Sequence, residues 1–216
     1  MLGDDVPAGI HVATVRESGA GFDLAIDGVC EARLAPLGPP LRFPDLDASQ
    51  TLCTLSGRDA HGTAFAGYGC VSRSGPPSGS LSLRRTIWAA FGDDLVLAAV
   101  AERAAGSAGH GAERIAGVIA QGAPIASSPR DPARLSTTYG QDGLVLRVGL
   151  EFGLPESDGD DTAPEGSVGR TSIAGQSIAT AVLAQPGGAR TEIAFLDWHT
   201  GGRGGVGCYL LERFAG

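Results

Sequence analysis

Two segments of the chain show strict alternation of apolar and polar residues. After Asp142–Gly143, the even-numbered positions carry Leu144, Leu146, Val148, Leu150 and Phe152. The odd-numbered positions carry Val145, Arg147, Gly149 and Glu151. In segment 81–91, odd-numbered positions carry Leu83, Ile87, Ala89 and Phe91. Even-numbered positions carry Ser82, Arg84, Thr86 and Trp88. Because successive strand side chains point to opposite faces, both segments predict half-buried β-strands.

Turn signals separate further apolar runs. Asp27–Gly28 lies between runs 22–26 and 29–34, and Pro186–Gly188 lies between runs 177–183 and 191–198. Asp-Gly suits the left-handed backbone of a tight hairpin turn. The 34 glycines and 13 prolines are spread along the whole chain. This spacing predicts roughly ten short antiparallel strands.

Three alanine-rich stretches, 94–105, 112–121 and 172–185, leave two interpretations open. Alanine is the best helix former, so a mixed α/β fold is one alternative. However, the stretches are rich in β-branched residues, and Gly117 and Gly175 would each cost a helix about 1 kcal/mol. We therefore favour strands here, and with them an all-β fold with few or no helices.

Segment 154–166 is acidic and contains two prolines. A run with so few apolar residues cannot offset its ordering entropy by burial, so we expect a flexible loop. Asp158–Asp161 supplies oxygen ligands for calcium as an alternative, but the twelve-residue loop pattern with its closing Glu is missing.

Composition narrows the classes of function. The 216 residues predict one domain, 1–216, and none of the 16 basic residues is a lysine. The absence of lysine excludes Schiff-base chemistry, pyridoxal attachment and the phosphate-loop lysine. A net charge of −8 argues against a nucleic-acid partner. No metal-binding spacing or dinucleotide fingerprint occurs, so we expect neither metal nor cofactor.

Localisation follows from what the sequence lacks. No apolar run of about 18 residues occurs, so we expect no membrane span. Residues 1–9 lack the basic and apolar regions of a secretory signal, which predicts a cytoplasmic protein. We therefore expect Cys30, Cys53, Cys70 and Cys208 to be reduced.

The densest reactive group is Asp197-Trp198-His199. Alternation places Asp197 and His199 on one strand face with Ile193 and Phe195, bordering an apolar surface. This pair is the candidate catalytic acid and base. The alternative is that both residues sit at the strand end and cap the turn at Gly201–Gly202.

Six residues are candidate ligand contacts. Arg147 and Glu151 share a strand face, either as a surface ion pair or as groups that orient the polar end of a ligand. The aromatic candidates supply apolar surface and a hydrogen-bonding tip, with core packing as the alternative. They are Trp88, Tyr139, Trp198 and Tyr209.

The order of several features along the chain resembles a known superfamily. These features are Arg84–Asp93, His110–Gly117, Tyr139 with Asp142–Gly143, Trp198–His199 and Gly204–Tyr209. Over roughly residues 60–216, the chain resembles the lipocalin-like superfamily around hydroxyneurosporene synthase (carotenoid hydratase) and related bacterial proteins of unknown function. Many relatives carry an acidic residue near the position of Leu210, whereas the nearest carboxylate here is Glu212. No role is therefore transferred to Glu212.

The resemblance implies an antiparallel lipocalin-like (calycin) barrel around an apolar cavity that accepts a hydrophobic small molecule. We therefore expect a cofactor-free enzyme that promotes cyclisation, isomerisation or hydration by positioning and acid–base help. A non-catalytic carrier of a lipophilic metabolite is the alternative, and an accessory protein with a filled barrel is the third. A homodimer is left open.

Overall fold

The computed structural model describes residues 13–19, 21–43, 48–75, 81–92, 95–107, 113–120, 123–125, 133–153, 170–184 and 190–214. Within these ranges the chain is all-β and contains no helix, so none is available to cross a membrane. This confirms the predicted fold class at the level of an antiparallel all-β protein. Segment 154–166 and the turn at 186–188 lie outside the described residues.

The chain divides into two compact units. The first comprises residues 1–40 and 51–71, and the second comprises residues 41–50 and 72–216. Treating residues 1–216 as a single barrel domain stays a prediction, and each unit is described by itself below.

The first unit is built on a curled antiparallel sheet. Its strands are β1 (Ala13–Ser18), β2 (Gly21–Ile26), β3 (Cys30–Pro36) and most of β5 (Ala48–Asp59), paired in this order, and β6 (Ala64–Ser74) also pairs with β5. The predicted turn at Asp27–Gly28 joins β2 to β3, and Gly28 has a φ of 70°. A small core of Phe22, Leu34 and Cys53 lies on one face of the sheet.

The second unit contains a strongly curled sheet of nine antiparallel strands. In sheet order these are β10 (Ala123–Ile125), β9 (Glu113–Ala120), β8 (Val96–Ala104), β7 (Leu81–Ala90), β15 (Arg203–Arg213), β14 (Arg190–Thr200), β13 (Arg170–Ala184), β12 (Val145–Gly153) and β11 (Arg134–Tyr139). The short strand β4 (Leu41–Phe43) pairs with the first residues of β5. All three alanine-rich stretches are strands (β8, β9 and β13), which confirms the preferred interpretation.

One face of the nine-stranded sheet carries the main hydrophobic core, and we name it the core face. Its large side chains include Ile87, Leu97, Leu150, Leu196, Trp198 and Tyr209. Strand β7 is buried on both faces from Leu83 to Ala90, whereas alternation predicts only half-burial.

Strand β12 departs from the predicted alternation at its start. The register with β11 shifts between Thr138 and Tyr139, so that Tyr139 pairs with Val145 and Thr138 with Arg147. Val145 is therefore buried, and Leu146 is exposed. A bulge of this kind reverses the facing of the residues before it, which alternation alone cannot reveal.

Trp198 occupies a slot made by glycines on the neighbouring strands. It pairs with Gly175 on β13 and with Gly205 on β15. A Cβ atom added at Gly175 would lie 2.8 Å from Cε3 of the indole. A Cβ at Gly207 would lie 2.7 Å from the indole nitrogen and would fall on the carbonyl oxygen of Trp88. The ring is completely buried because these positions carry no side chain.

The glycine slot gives the first prediction. We expect Gly175→Ala to lower the free energy of unfolding by about 1–3 kcal/mol, because the added methyl group overpacks the indole. Gly204→Ala on β15 is the matched control, since an added Cβ there has no atom within 4 Å. It should change stability by less than about 0.5 kcal/mol. Urea unfolding measures both variants, and equal losses would contradict the slot.

Candidate functional site

Polar side chains interrupt the core face of the nine-stranded sheet. Arg85 on β7, Glu192 on β14 and Tyr209 on β15 are all buried, and each points to the same face as Leu211. Because an isolated charge is costly to bury, charged residues on an apolar face need partners and are candidates for function.

Arg85 reaches across the sheet to its far edge. Its Nη1 atom donates a hydrogen bond of 2.9 Å to Oγ1 of Thr137 on β11. Strands β7 and β11 are separated in the sheet by β15, β14, β13 and β12. Strands in a flat sheet lie nearly 5 Å apart, so this contact requires the strong curl of the sheet.

The Tyr209 hydroxyl lies beside this pair. Burial raises the pKa of Tyr209 to about 12, although the Arg85 charge and the Thr137 hydroxyl both act to lower it. Tyr139 at the end of β11 acts on Tyr209 electrostatically and in the opposite direction to Arg85. We name Arg85, Thr137 and Tyr209 the donor cluster, because the guanidinium and both hydroxyls carry hydrogen-bond donors.

Glu192 fixes the start of β12. Its Oε1 atom accepts a hydrogen bond of 2.7 Å from the backbone N–H of Val145. A carboxylate that accepts a backbone N–H forms a strong, charge-assisted bond. The buried carboxylate of Glu192 therefore anchors the first residue of β12, next to the β11–β12 turn.

An open groove of about 430 Å³ adjoins the hairpin. It lies between the β11–β12 turn and β13. At this point the pairing of β13 with β14 shifts register between Ser177 and Ala179. Its apolar lining includes Leu144, Val145, Leu146, Ile178 and Ala179. Tyr139 lies between the two features along the chain of contacts: it pairs with Val145, which lines the groove, and it acts electrostatically on Tyr209 of the donor cluster. The volume is within the range of small-molecule sites.

Two predicted ligand residues, Tyr139 and Tyr209, come together at this site. Trp198 is in the core of the same face, and its indole N–H has no hydrogen-bond partner among the described residues. Trp88 lies on the opposite face, because it pairs with Cys208 and alternates with Ile87. Arg147 and Glu151 are exposed on the outer side of β12 and away from the donor cluster.

The predicted acid–base pair forms a contact, but it lies in solvent. Nε2 of His199 is 3.5 Å from Oδ2 of Asp197, and the side chains are 64% and 53% exposed. An apolar surface borders the pair, because Asp197 pairs with Val206 and alternates with Phe195, and both neighbours are exposed. Its catalytic role stays a prediction.

The sequence analysis does not identify Arg85, Thr137 or Glu192 as site residues. A signal for Arg85 exists, because alternation places it on the same strand face as Leu83, Ile87 and Ala89. Glu192 likewise shares its parity with Ala194, Leu196 and Trp198. A charged residue on an otherwise apolar strand face is therefore the signal that identifies Arg85 and Glu192. Thr137 gives no such clue, because its contact with Arg85 spans 52 residues.

A second charged pair lies on the opposite face of β7. Nε of Arg84 donates to Oε1 of Glu102 at 2.9 Å, and both side chains are almost buried. Burial raises the pKa of nearby Glu212, and the Arg84 charge opposes this rise. Because the arginine is matched by a carboxylate, we assign this pair a structural role.

The first unit carries its own groove of about 860 Å³. Its lining mixes cations and anions, including Arg16, Asp23, Glu31, Arg33 and Arg58. Nη1 of Arg33 forms an exposed ion pair of 2.8 Å with Asp23. This charged lining fits a hydrophobic ligand less well than the groove beside β13.

No group of three or more His, Cys, Asp and Glu side chains that could hold a metal occurs in the described part of the chain. No known protein family matches the chain, and neither does any curated protein. The residues of the site therefore carry the functional interpretation.

The pKa of Tyr209 gives the second prediction. Free tyrosine ionises near pH 10, whereas folded Tyr209 ionises near pH 12, so stability must fall as the pH rises between these values. The loss should be about 2–3 kcal/mol at pH 12 relative to pH 9. Tyr209→Phe should lack this contribution, and Tyr139→Phe, at the exposed end of β11, should retain it. Urea unfolding at several pH values measures the difference, and parallel profiles for wild type and Tyr209→Phe would be the contrary result.

Proposed function

We propose that the protein binds a hydrophobic small molecule on the second unit. The apolar body of the ligand would occupy the groove between the β11–β12 turn and β13. Its polar end would reach the donor cluster past Tyr139. The observation that carries the proposal is the Arg85–Thr137–Tyr209 cluster, which shares a mainly apolar core face with Val145, a residue that also lines the groove.

The chemistry of the cluster favours a ligand with an acidic or acceptor end. Arginine stays charged and presents its donors in a rigid fork that matches a carboxylate. Attraction between charges is stronger in a buried site than in water. Tyr209 can donate as well, because a tyrosine keeps its proton over the physiological range and burial raises the pKa of Tyr209 further, to about 12. The groove lining supplies the apolar contacts.

A lipocalin-like barrel with an apolar cavity is part of this proposal. Its support is the curled antiparallel sheet, together with the contact between β7 and β11 across the core face. A carrier of a lipophilic metabolite needs only the groove and the donor cluster.

A catalytic role is the second candidate, and the Asp197–His199 contact of 3.5 Å favours it. A carboxylate that orients an imidazole beside an apolar surface can support proton transfer during isomerisation, hydration or cyclisation. Asp197 and His199 lie on the opposite side of β14 from Trp198. A reaction there would use a site separate from the donor cluster.

Fluorescence titration with cis-parinaric acid, an anionic hydrophobic probe, tests binding. We expect one saturable site of about 1–10 µM affinity. Arg85→Met should weaken binding of the acid about 10- to 100-fold, since a hydrogen bond to a charged group is lost. The methyl ester has the same apolar body without the charge, so its affinity should change much less.

Two controls accompany this titration. Arg147→Met removes an exposed arginine from β12 and should leave both affinities unchanged. The double variant Asp197→Asn/His199→Ala should also bind normally, because it alters the other face of β14. Failure of both the acid and the ester to bind wild type would refute the proposed function.

A further inference from the structure

Two arginines lie directly opposite each other at one end of the nine-stranded sheet. Arg190 begins β14 and pairs with Arg213, which ends β15, and both side chains are exposed. We name these two residues the arginine pair. Opposite residues of an antiparallel sheet place their Cβ atoms about 5 Å apart, and like charges in such positions destabilise the pairing. An anion bound between the two guanidinium groups would remove this repulsion.

The arginine pair belongs to the core face of the sheet. Arg190 lies two residues before Glu192, and Arg213 lies two residues after Leu211, so each shares the facing of a residue of the core face. Leu211 in turn pairs with Arg85 of the donor cluster. Arg213 and Arg85 are therefore diagonal neighbours on adjacent strands, with their Cα atoms about 7–8 Å apart. Three arginines thus occupy neighbouring positions of one face.

The nearby carboxylates do not neutralise the arginine pair. Among the described residues, neither Arg190 nor Arg213 forms an ion pair or a side-chain hydrogen bond. Glu192 shares their face, but its Oε1 atom accepts a backbone N–H of β12. Glu212 lies on the opposite face, because it pairs with Arg84. The arginine pair is therefore a local excess of positive charge.

Two other arginines of this sheet have a carboxylate opposite them. Arg134 on β11 pairs with Glu151 on β12, and Arg103 on β8 is in register with Glu113 on β9. Opposite charges in these positions stabilise the pairing of two strands. The arginine pair departs from this pattern, and a bound anion accounts for the departure.

We propose that the arginine pair binds the phosphate group of a small molecule. Each guanidinium presents a rigid fork of donors that matches two oxygens of a phosphate. A phosphate monoester carries nearly two negative charges at neutral pH, which two arginines can balance. Neither arginine lines the groove beside β13, so this inference does not rest on the proposed hydrophobic ligand. Inorganic phosphate and a phosphate ester share the chemistry that the pair recognises.

Isothermal titration calorimetry with inorganic phosphate at low ionic strength tests this site. Wild type should bind with a Kd of about 0.1–1 mM. Arg190→Gln and Arg213→Gln should each weaken binding at least about 10-fold, because each removes hydrogen bonds from a charged group. Arg134→Gln is the matched control, since it removes an exposed arginine elsewhere in the sheet and should leave the affinity unchanged.

Urea unfolding gives a second measurement on the same variants. Without phosphate, Arg190→Gln and Arg213→Gln should each raise the urea midpoint, because the repulsion between like charges is relieved. Added phosphate should stabilise wild type more than either variant, since it binds only where the pair is intact. Circular dichroism verifies the fold of each protein.

Hexyl phosphate distinguishes the two sources of the phosphate group. An affinity about 10-fold or more above that of inorganic phosphate would assign the site to an ester with an apolar body. Equal affinities would assign it to free phosphate or to a polar ester.

Two results would overturn the inference. One is a wild type that binds neither compound even at tens of millimolar, and the other is an Arg213→Gln protein that binds phosphate as wild type does. A wild type that binds phosphate but not cis-parinaric acid or its ester would support this site and refute only the proposed function. The reverse result would refute only the phosphate site.

Discussion

The hydrogen bond between Arg85 and Thr137 joins two strands that lie five places apart in the nine-stranded sheet. It can form only because the sheet curls until β11 approaches β7 across the core face. The same core face holds Trp198, the largest buried side chain, where Gly175 and Gly207 leave the space that the indole fills. The buried indole and the donor cluster therefore share one face of the curled sheet.

Under the proposed function, the curl of the sheet determines where the ligand is recognised. Curling brings Thr137 on β11 to Arg85 and Tyr209, which lie on the paired strands β7 and β15, and Tyr139 pairs with Val145, which lines the groove beside β13. The guanidinium supplies charge, and the surrounding aliphatic side chains keep water from weakening its field. The opposite face carries the exposed Asp197–His199 pair, so the two candidate chemistries of this protein lie on different surfaces.

Local sequence signals predicted much of the fold but only part of the site. The Asp27–Gly28 and Asp142–Gly143 turns, the strands that flank them and the alanine-rich strands all follow from turn chemistry and β-branching. The sequence identifies Tyr139 and Tyr209 as aromatic residues with polar tips, although no local pattern shows that they meet. Alternation places Leu146 on the wrong face, since a register shift depends on the partner strand. The pairing of Arg85 with Thr137 arises from the curl, which alternation does not encode.

Hydrogen exchange locates the ligand most directly. With a saturating amount of cis-parinaric acid, the backbone amides of residues 134–148 should exchange more slowly, because the probe covers β11, the turn and the start of β12. Amides of the first unit, residues 13–36 and 51–71, should be unaffected. Slower exchange confined to that unit would place the ligand in the charged groove instead, and would contradict the role assigned to Arg85 and Tyr209.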